Sequence, residues 1–441
     1  MSGEETSAGF TSNILENTRI KPQQIILIIM CVLLNMIDGF DITAMAVTVS
    51  LISADLSLYD STLGLLFSST LAGMMLGAMG IAAISDILGR RLIIIISMLL
   101  MSLSVTLTGF ATDLTQLILL RFVSGLAGGA ILASQAALVS EYSAARFKAL
   151  SVCLVTAGYP LGAMLTGIVA GYIIPDFGWR GLYIFGGAIS FVLAMLAIAF
   201  IPESISFILY ENKPNALEKT NEILKRLGNG TVKKLPEKNQ DHTAKSHIVD
   251  NVKSLFSKNY MLNTIYLWFI FLLCFSSLYF LMSWIPRLVI LNGLSESDAQ
   301  TIFATFNFGG IVGILLIGLF SIQKQLSELV GYFILLAAFI MSSYMVLPLK
   351  EGFIHISCFF IGLFLQGGFV GLFAIASKFY PTHIKATGIG WAIGLGRFGA
   401  VIGPAIAGFM VAAGLSMGVN MLVFALPLLL SVFFIFSLKV N

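Results

Sequence analysis

Twelve apolar runs of roughly 20 residues recur along this chain, each long enough to cross a hydrocarbon layer of about 30 Å. Their limits are 24–50, 61–84, 92–111, 116–141, 149–175, 180–201, 260–290, 299–321, 327–348, 353–378, 386–413 and 417–437. In lipid the backbone must satisfy its own polar groups, so only helices or a closed barrel span. These runs are continuously apolar, without the in-and-out alternation of a lumen-lined strand, and therefore read as helices. Of the 441 residues 58% are hydrophobic and 11% charged, against about a quarter charged in a soluble domain. The fold class predicted is an all-α membrane protein of twelve transmembrane helices.

The charges that remain set its orientation. With the N-terminus in the cytoplasm, twenty of the 25 Lys and Arg residues fall on the inner side and three (Arg180, Arg287, Lys350) on the outer. The sequence thus predicts a multi-pass inner (plasma) membrane protein with both termini cytoplasmic. The polar start, Met1 to Pro22, lacks a cleavable signal pattern, so the first span is expected to stay. The net charge of +3 follows from this topology and gives no hint of nucleic acid. Cys31, Cys153, Cys274 and Cys358 all sit within spans and read as small hydrophobes, with neither disulfide nor metal expected.

One long polar stretch separates six spans from six. The division is a tail over 1–23, a six-helix bundle over 24–201, a cytoplasmic linker over 202–259 with a short helix near Ala216 to Leu227, a second bundle over 260–437, and a tail over 438–441. Gly158, Gly162 and Gly167 of span five are echoed by Gly399, Gly403 and Gly408 of span eleven, all three at the same offset. Gly128-Gly129 similarly faces Gly367-Gly368, and "EYSAARFKA" faces "FYPTHIKA". Small residues recur in any helical membrane protein. The concordant offsets point further, to a duplicated six-span unit forming two pseudo-symmetric bundles, with substrate between them near the midplane.

Only four charged residues lie well inside spans: Asp38, Asp41, Arg121 and Arg397. Each costs about 2.5–3.5 kcal/mol to insert at a helix centre, which makes a functional role the default. Asp38 and Asp41 share a helix face with Asn35 and Met45. Counted from the inner ends of their spans, Asp41 and Arg121 differ in depth by roughly 5 Å, so these groups are expected to meet. One arginine cannot neutralise two carboxylates, and two acids sharing a low-dielectric site leave one able to carry a proton. The competing reading is a buried ion pair that only orients two helices. Arg397 has no intramembrane acid in its own half. Its counter-ion is either Asp38 or Asp41 or a bound organic anion, for which a guanidinium offers a two-pronged fork. Gly394, Gly396 and Gly399 are expected to clear space around it. Tyr279 and Trp391 are the aromatic candidates for the substrate site.

The motifs carry a resemblance. "GAMGIAAISDILGRR" (Gly77 to Arg91) resembles the loop signature of the major facilitator superfamily, and "LLRFVSGLAGGA" its span-four motif. "DGFD", "SEYSAARFKA", "FGWR", "PES", "YFLMSWIP" and "YPTHIKATGIGWAIGLGRFGAVIGP" together resemble the aromatic acid:H+ symporter family, over essentially all twelve spans. The resemblance implies the major facilitator fold, proton coupling through Asp38, Asp41 and Arg121, substrate binding at Arg397, and conformational roles for Asp86, Gly89, Arg90 and Arg91. Glu141 and Lys148 join that last group. The sequence departs from the pattern at Ala82, Ala144 and Lys148, and the second loop signature is degraded to "GLFSIQKQL".

The expected activity is proton-coupled import of an aromatic or related small carboxylate by alternating access, without an enzymatic step. Protons, the acid and the lipid bilayer are the partners, a monomer the expected state, and the proton gradient the driving force in place of a cofactor. No phosphate-binding loop of the Gly-x-x-x-x-Gly-Lys type appears. A proton-coupled exporter and a ligand sensor on a transporter scaffold are the alternatives. On this reading Asp41→Asn abolishes proton-driven uptake and Arg397→Ala weakens acid binding.

Overall fold

In a computed structural model of the chain, the described residues are 21–81, 84–85, 88–143, 148–205, 207–208, 216–226, 253–257, 260–320, 326–379 and 382–438. They form helices α1 (Pro22–Asp55), α2 (Asp60–Leu76, continued by a π-helical turn Gly77–Ile81), α3 (Arg90–Thr108), α4 (Leu114–Tyr142), α5 (Lys148–Phe200) and α6 (Ala216–Arg226). A second series follows: α7 (Met261–Leu291), α8 (Glu296–Phe320), α9 (Leu326–Ser343), α10 (Glu351–Phe379), α11 (Thr382–Ala412) and α12 (Met417–Ser437). Eleven helices among the described residues are long and apolar enough to cross a membrane, and one of them crosses twice.

That helix is α5, whose 53 residues would run about 80 Å if straight, far more than one hydrocarbon layer. It breaks at Gly178, where φ 65° and ψ −173° lie in a region that favours glycine. Partners along α1 record the reversal. Before the break, Asn35 Nδ2 donates to the Val155 carbonyl at 2.6 Å and the Thr43 and Thr166 hydroxyls meet at 2.8 Å, so both chains climb together. After it, Trp179 Nε1 donates to Asp55 at 3.2 Å and the Tyr183 hydroxyl lies 3.3 Å from that of Thr48, so α5 descends. The twelve crossings read from the apolar runs are therefore present.

The glycine echo has a physical counterpart. A side chain at Gly158 or Gly162 would strike the backbone carbonyls of Val32 and Met36 in α1, and one at Gly399 or Gly403 those of Leu272 and Ser276 in α7. In each half the same helix pair is drawn together by the same two glycines, close approach being what small residues supply where lipid offers no hydrophobic drive. Gly399, expected to open space at Arg397, instead packs α11 onto α7, and Gly396 does likewise against Phe271 and Phe275.

The end at which α1 begins is termed the lower end. Gln24 Nε2 donates to the Tyr142 carbonyl at 2.6 Å there, fastening the start of α1 to the end of α4. At the upper end the two halves meet. Gly64 of α2 packs on Pro404 and Gly408 of α11, Ser68 donates to the Val401 carbonyl at 2.6 Å, and Phe67 lies edge-on to Trp284 at 5.5 Å. Trp284 is fully buried, donating Nε1 to the Pro404 carbonyl at 3.1 Å. Arg287 of α7 clasps Asp60 Oδ1 at 2.9 and 3.0 Å and reaches Ser50 at 3.3 Å. Below this seam the halves separate around a cavity.

Candidate functional site

The cavity holds about 590 Å³ and is lined from both halves, by Asn35, Gln135, Val155 and Tyr159 on one side and by Phe275, Tyr279, Gln366, Phe369 and Arg397 on the other, among others. Its surface is mostly apolar, with few polar groups, the composition usual for a small-molecule site. Phe275 stacks on Tyr279 at 5.8 Å and receives the edge of Phe369 at 4.7 Å, a planar aromatic wall suited to a flat ring.

The four intramembrane charges converge beside it, but unequally. Arg121 is completely buried and grips Asp41 two-pronged, Nη1 to Oδ1 at 2.6 Å and Nη2 to Oδ2 at 2.9 Å, with a further bond from Nη2 to the Asp41 carbonyl at 3.0 Å. The Tyr183 ring stands 5.7 Å from its guanidinium carbon. Asp41 is thus fully engaged. Asp38, one turn away on the same face and equally buried, has an Oδ2 with no hydrogen-bond partner. Its Oδ1 rests on Gly128 of α4, where any side chain would collide with it. The span-four glycine therefore seats a carboxylate.

Arg397 lines the cavity, is 6% exposed and has an unpartnered Nε. Among the described residues no ion pair reaches it, although its field and that of Arg121 both act on Asp38. The Tyr159 and Tyr279 hydroxyls approach each other across the halves, each within the fields of Asp38 and Arg397. Buried charge that is neither paired nor neutralised is costly, and an open guanidinium facing an apolar cavity has the chemistry of an anion site.

Trp391 does not join this group. It is 43% exposed and stacks on Trp268 at 5.9 Å. At 3.6 residues per turn, six residues turn it away from Arg397 to another face of α11. Ile389, Gly390, Ile393, Gly394 and Arg397 form the cavity face.

At the lower end, Arg90 forms an ion pair with Glu141, whose other oxygen accepts from Ser204 at 2.7 Å. Glu203 accepts from the backbone N–H groups of Arg91 at 3.1 Å and Ser204 at 2.9 Å, and Arg91 Nη2 donates to the Ile198 carbonyl at 2.7 Å. Gly89 precedes them at φ 102°, a conformation that favours glycine, and a side chain there would press on the Glu203 carboxylate. Arg90, Arg91, Gly89 and Glu141 are thus brought into one cluster. Asp86 lies outside the described residues, and only the backbone of Lys148 is described. Sequence reasoning gave no role to Glu203 and Ser204, though "PES" was the signal. It also passed over Asp60 altogether and counted Arg287 only as a basic residue of the outer side. Cys31, Cys274 and Cys358 are free and buried, while the side chain of Cys153 is outside the described set.

A model of the Major Facilitator Superfamily matches residues 31–404. The chain belongs to the Major Facilitator Superfamily. Within it, the 4-hydroxybenzoate transporter PcaK of Acinetobacter baylyi is 30% identical over 398 residues, covering 88% of this chain and 85% of that protein. The PcaK of Pseudomonas aeruginosa is also 30% identical, over 90% and 88%. A gallate transporter of Pseudomonas putida is 28% identical, over 94% and 91%. Among solved superfamily structures, the xylose transporter XylE of E. coli in a partially occluded inward-open conformation aligns with a TM-score of 0.73 at 14% identity, covering 94% of this chain and 97% of that one. A bacterial Spinster homologue aligns at 0.70 and 16%, over 95% and 97%. The superfamily's members are transporters, and the all-α fold of two related six-helix halves is theirs.

Proposed function

We propose that this protein carries an aromatic monocarboxylate together with a proton across the inner membrane, inward, by alternating access. The observation that bears most weight is Arg397: a buried guanidinium with no acid paired to it among the described residues, facing an apolar cavity walled by Phe275, Tyr279 and Phe369. The names of the relatives supply the substrate class, since they transport 4-hydroxybenzoate and gallate.

The charges suggest how the two movements couple. Arg121 and Asp41 cancel one another as an ion pair, leaving Arg397 as the cation without a paired acid that balances Asp38. When a carboxylate docks on Arg397, that balance is lost, and a bare anion at Asp38 would be left buried at a cost of several kcal/mol. Taking a proton on Asp38 restores neutrality. Proton and acid then travel together because neither alone leaves the buried site uncharged.

The tilt that follows would open the seam formed by Asp60, Gly64, Ser68, Arg287 and Gly408 and close the cavity from below, the substrate remaining between the halves. With both termini cytoplasmic, as the distribution of Lys and Arg favours, the arrangement described here is inward-facing. Asp38 and Asp41 with Arg121 form the proton site, Arg397 and Tyr279 the acid site, and the Gly89–Arg90–Arg91–Glu141 cluster moves with the tilt. The protein acts as a monomer.

The test is uptake of radiolabelled aromatic acids by proteoliposomes under an imposed gradient, acidic outside. Accumulation above the equilibrium level, abolished by a protonophore and lost in Arg397→Ala, is expected. Accumulation indifferent to the gradient, or an Arg397→Ala protein that accumulates normally, contradicts the proposal.

A further inference from the structure

The unpartnered amide and guanidinium atoms of the cavity are sorted by side, and the Tyr159 hydroxyl, which can donate or accept, is unpartnered as well. Asn35 of α1, 1% exposed, donates Nδ2 to the Val155 carbonyl. Only the nitrogen of a carboxamide can donate to a carbonyl, so this bond fixes the group's orientation and leaves Oδ1 free. Oδ1 has no partner. Gln135 of α4, also 1% exposed, likewise has an Oε1 without a partner. Both residues line the cavity from the first half. In the second half the unpartnered atoms are donors, Arg397 Nε and Gln366 Nε2.

Buried polar atoms are nearly always satisfied, and exceptions in a binding cavity point to what is meant to fill it. Two amide acceptors on one wall, beside a Tyr159 hydroxyl that can serve either role, and two donors on the other match a molecule with an acceptor at one end and a donor at the other. We infer that Asn35 Oδ1 and Gln135 Oε1 receive a hydrogen bond from a donor on the substrate ring, remote from the carboxylate held by Arg397 and Gln366. The preferred cargo is an aromatic acid with a ring hydroxyl, and an acid without a ring donor is disfavoured because it leaves both oxygens buried and unpaired. Sites built to hydrogen-bond a hydroxyl reject the analogue lacking it far more strongly than apolar pockets discriminate by size. This inference rests on the reading of Arg397 as the carboxylate site.

The test is competition binding to the purified transporter with three acids: 4-hydroxybenzoate, benzoate, and 4-methoxybenzoate, which keeps the ring oxygen but has no proton to donate. The wild type is expected to favour 4-hydroxybenzoate over both others by about tenfold or more. In Gln135→Met, which keeps the side-chain length and removes the acceptor, that ratio is expected to fall several-fold toward unity. Asn35→Ala is expected to lower it as well. Each readout is a ratio between ligands on one sample, so partial misfolding cancels. Equal affinity of the wild type for all three acids, or an unchanged ratio in Gln135→Met, overturns the inference and leaves the transport reading standing. If none of the three acids binds, or if Arg397→Ala binds all three as the wild type does, the carboxylate site is wrong and the inference falls with it.

Discussion

Asp38 and Asp41 differ by one helical turn, and that turn decides which of them pairs with Arg121. The reach of a guanidinium from α4 covers both oxygens and the carbonyl of Asp41 and stops there. Asp41→Asn therefore removes the sole ion-pair partner of a fully buried arginine among the described residues, a change that destabilises by about 3–5 kcal/mol. The expected result is a marked fall in unfolding temperature in detergent, measurable by a thermal-shift assay. The same substitution at Asp38 is expected to leave that temperature nearly unaltered. Loss of uptake in Asp41→Asn then has a structural cause beyond proton handling. The sequence did disclose that these charges meet, because charge in an apolar run stands out and depth along a helix can be counted. It did not disclose the pairing, which depends on helix rotation. Amides stand out less: Gln135 and Gln366 carry no charge to draw notice, whereas Trp391 drew notice as an aromatic residue six positions before Arg397.

At the scale of elements, the helices are pinned to one another by missing side chains. Gly162 lies against the Met36 carbonyl without room for a Cβ, one turn from the aspartates. Gly162→Leu is expected to force α5 off α1, overpacking of this kind costing about 1–3 kcal/mol or more, with a lower yield of monodisperse protein on size-exclusion chromatography. Gly403→Leu, the counterpart against Ser276, is expected to show a defect of the same order. A wild-type elution profile for either contradicts the packing described. The spacing of these glycines was plain in the sequence because duplication preserved it. Their use was not, since a small residue beside a helix and one beside a cavity look the same: Gly394 borders the cavity, whereas Gly396 and Gly399 hold helices together.

At the scale of the whole molecule, the two halves are joined at one end and parted at the other. Arg287 is half of its only ion pair among the described residues, with Asp60, and carries the bond to Ser50. Arg287→Ala is expected to shift the population toward the state open at the upper end. Labelling of Ser68→Cys by a membrane-impermeant maleimide added outside should then rise several-fold over the same cysteine in the wild-type background. The central claim concerns the chemistry beneath that seam: a proton on Asp38 balances the acid on Arg397. Its most direct test is substrate-driven proton movement into proteoliposomes carrying an internal pH dye, read together with exchange of labelled for unlabelled acid. Asp38→Asn is predicted to abolish the proton signal while exchange persists, because a neutral side chain imitates the protonated acid. A proton signal of wild-type size in Asp38→Asn would contradict the account.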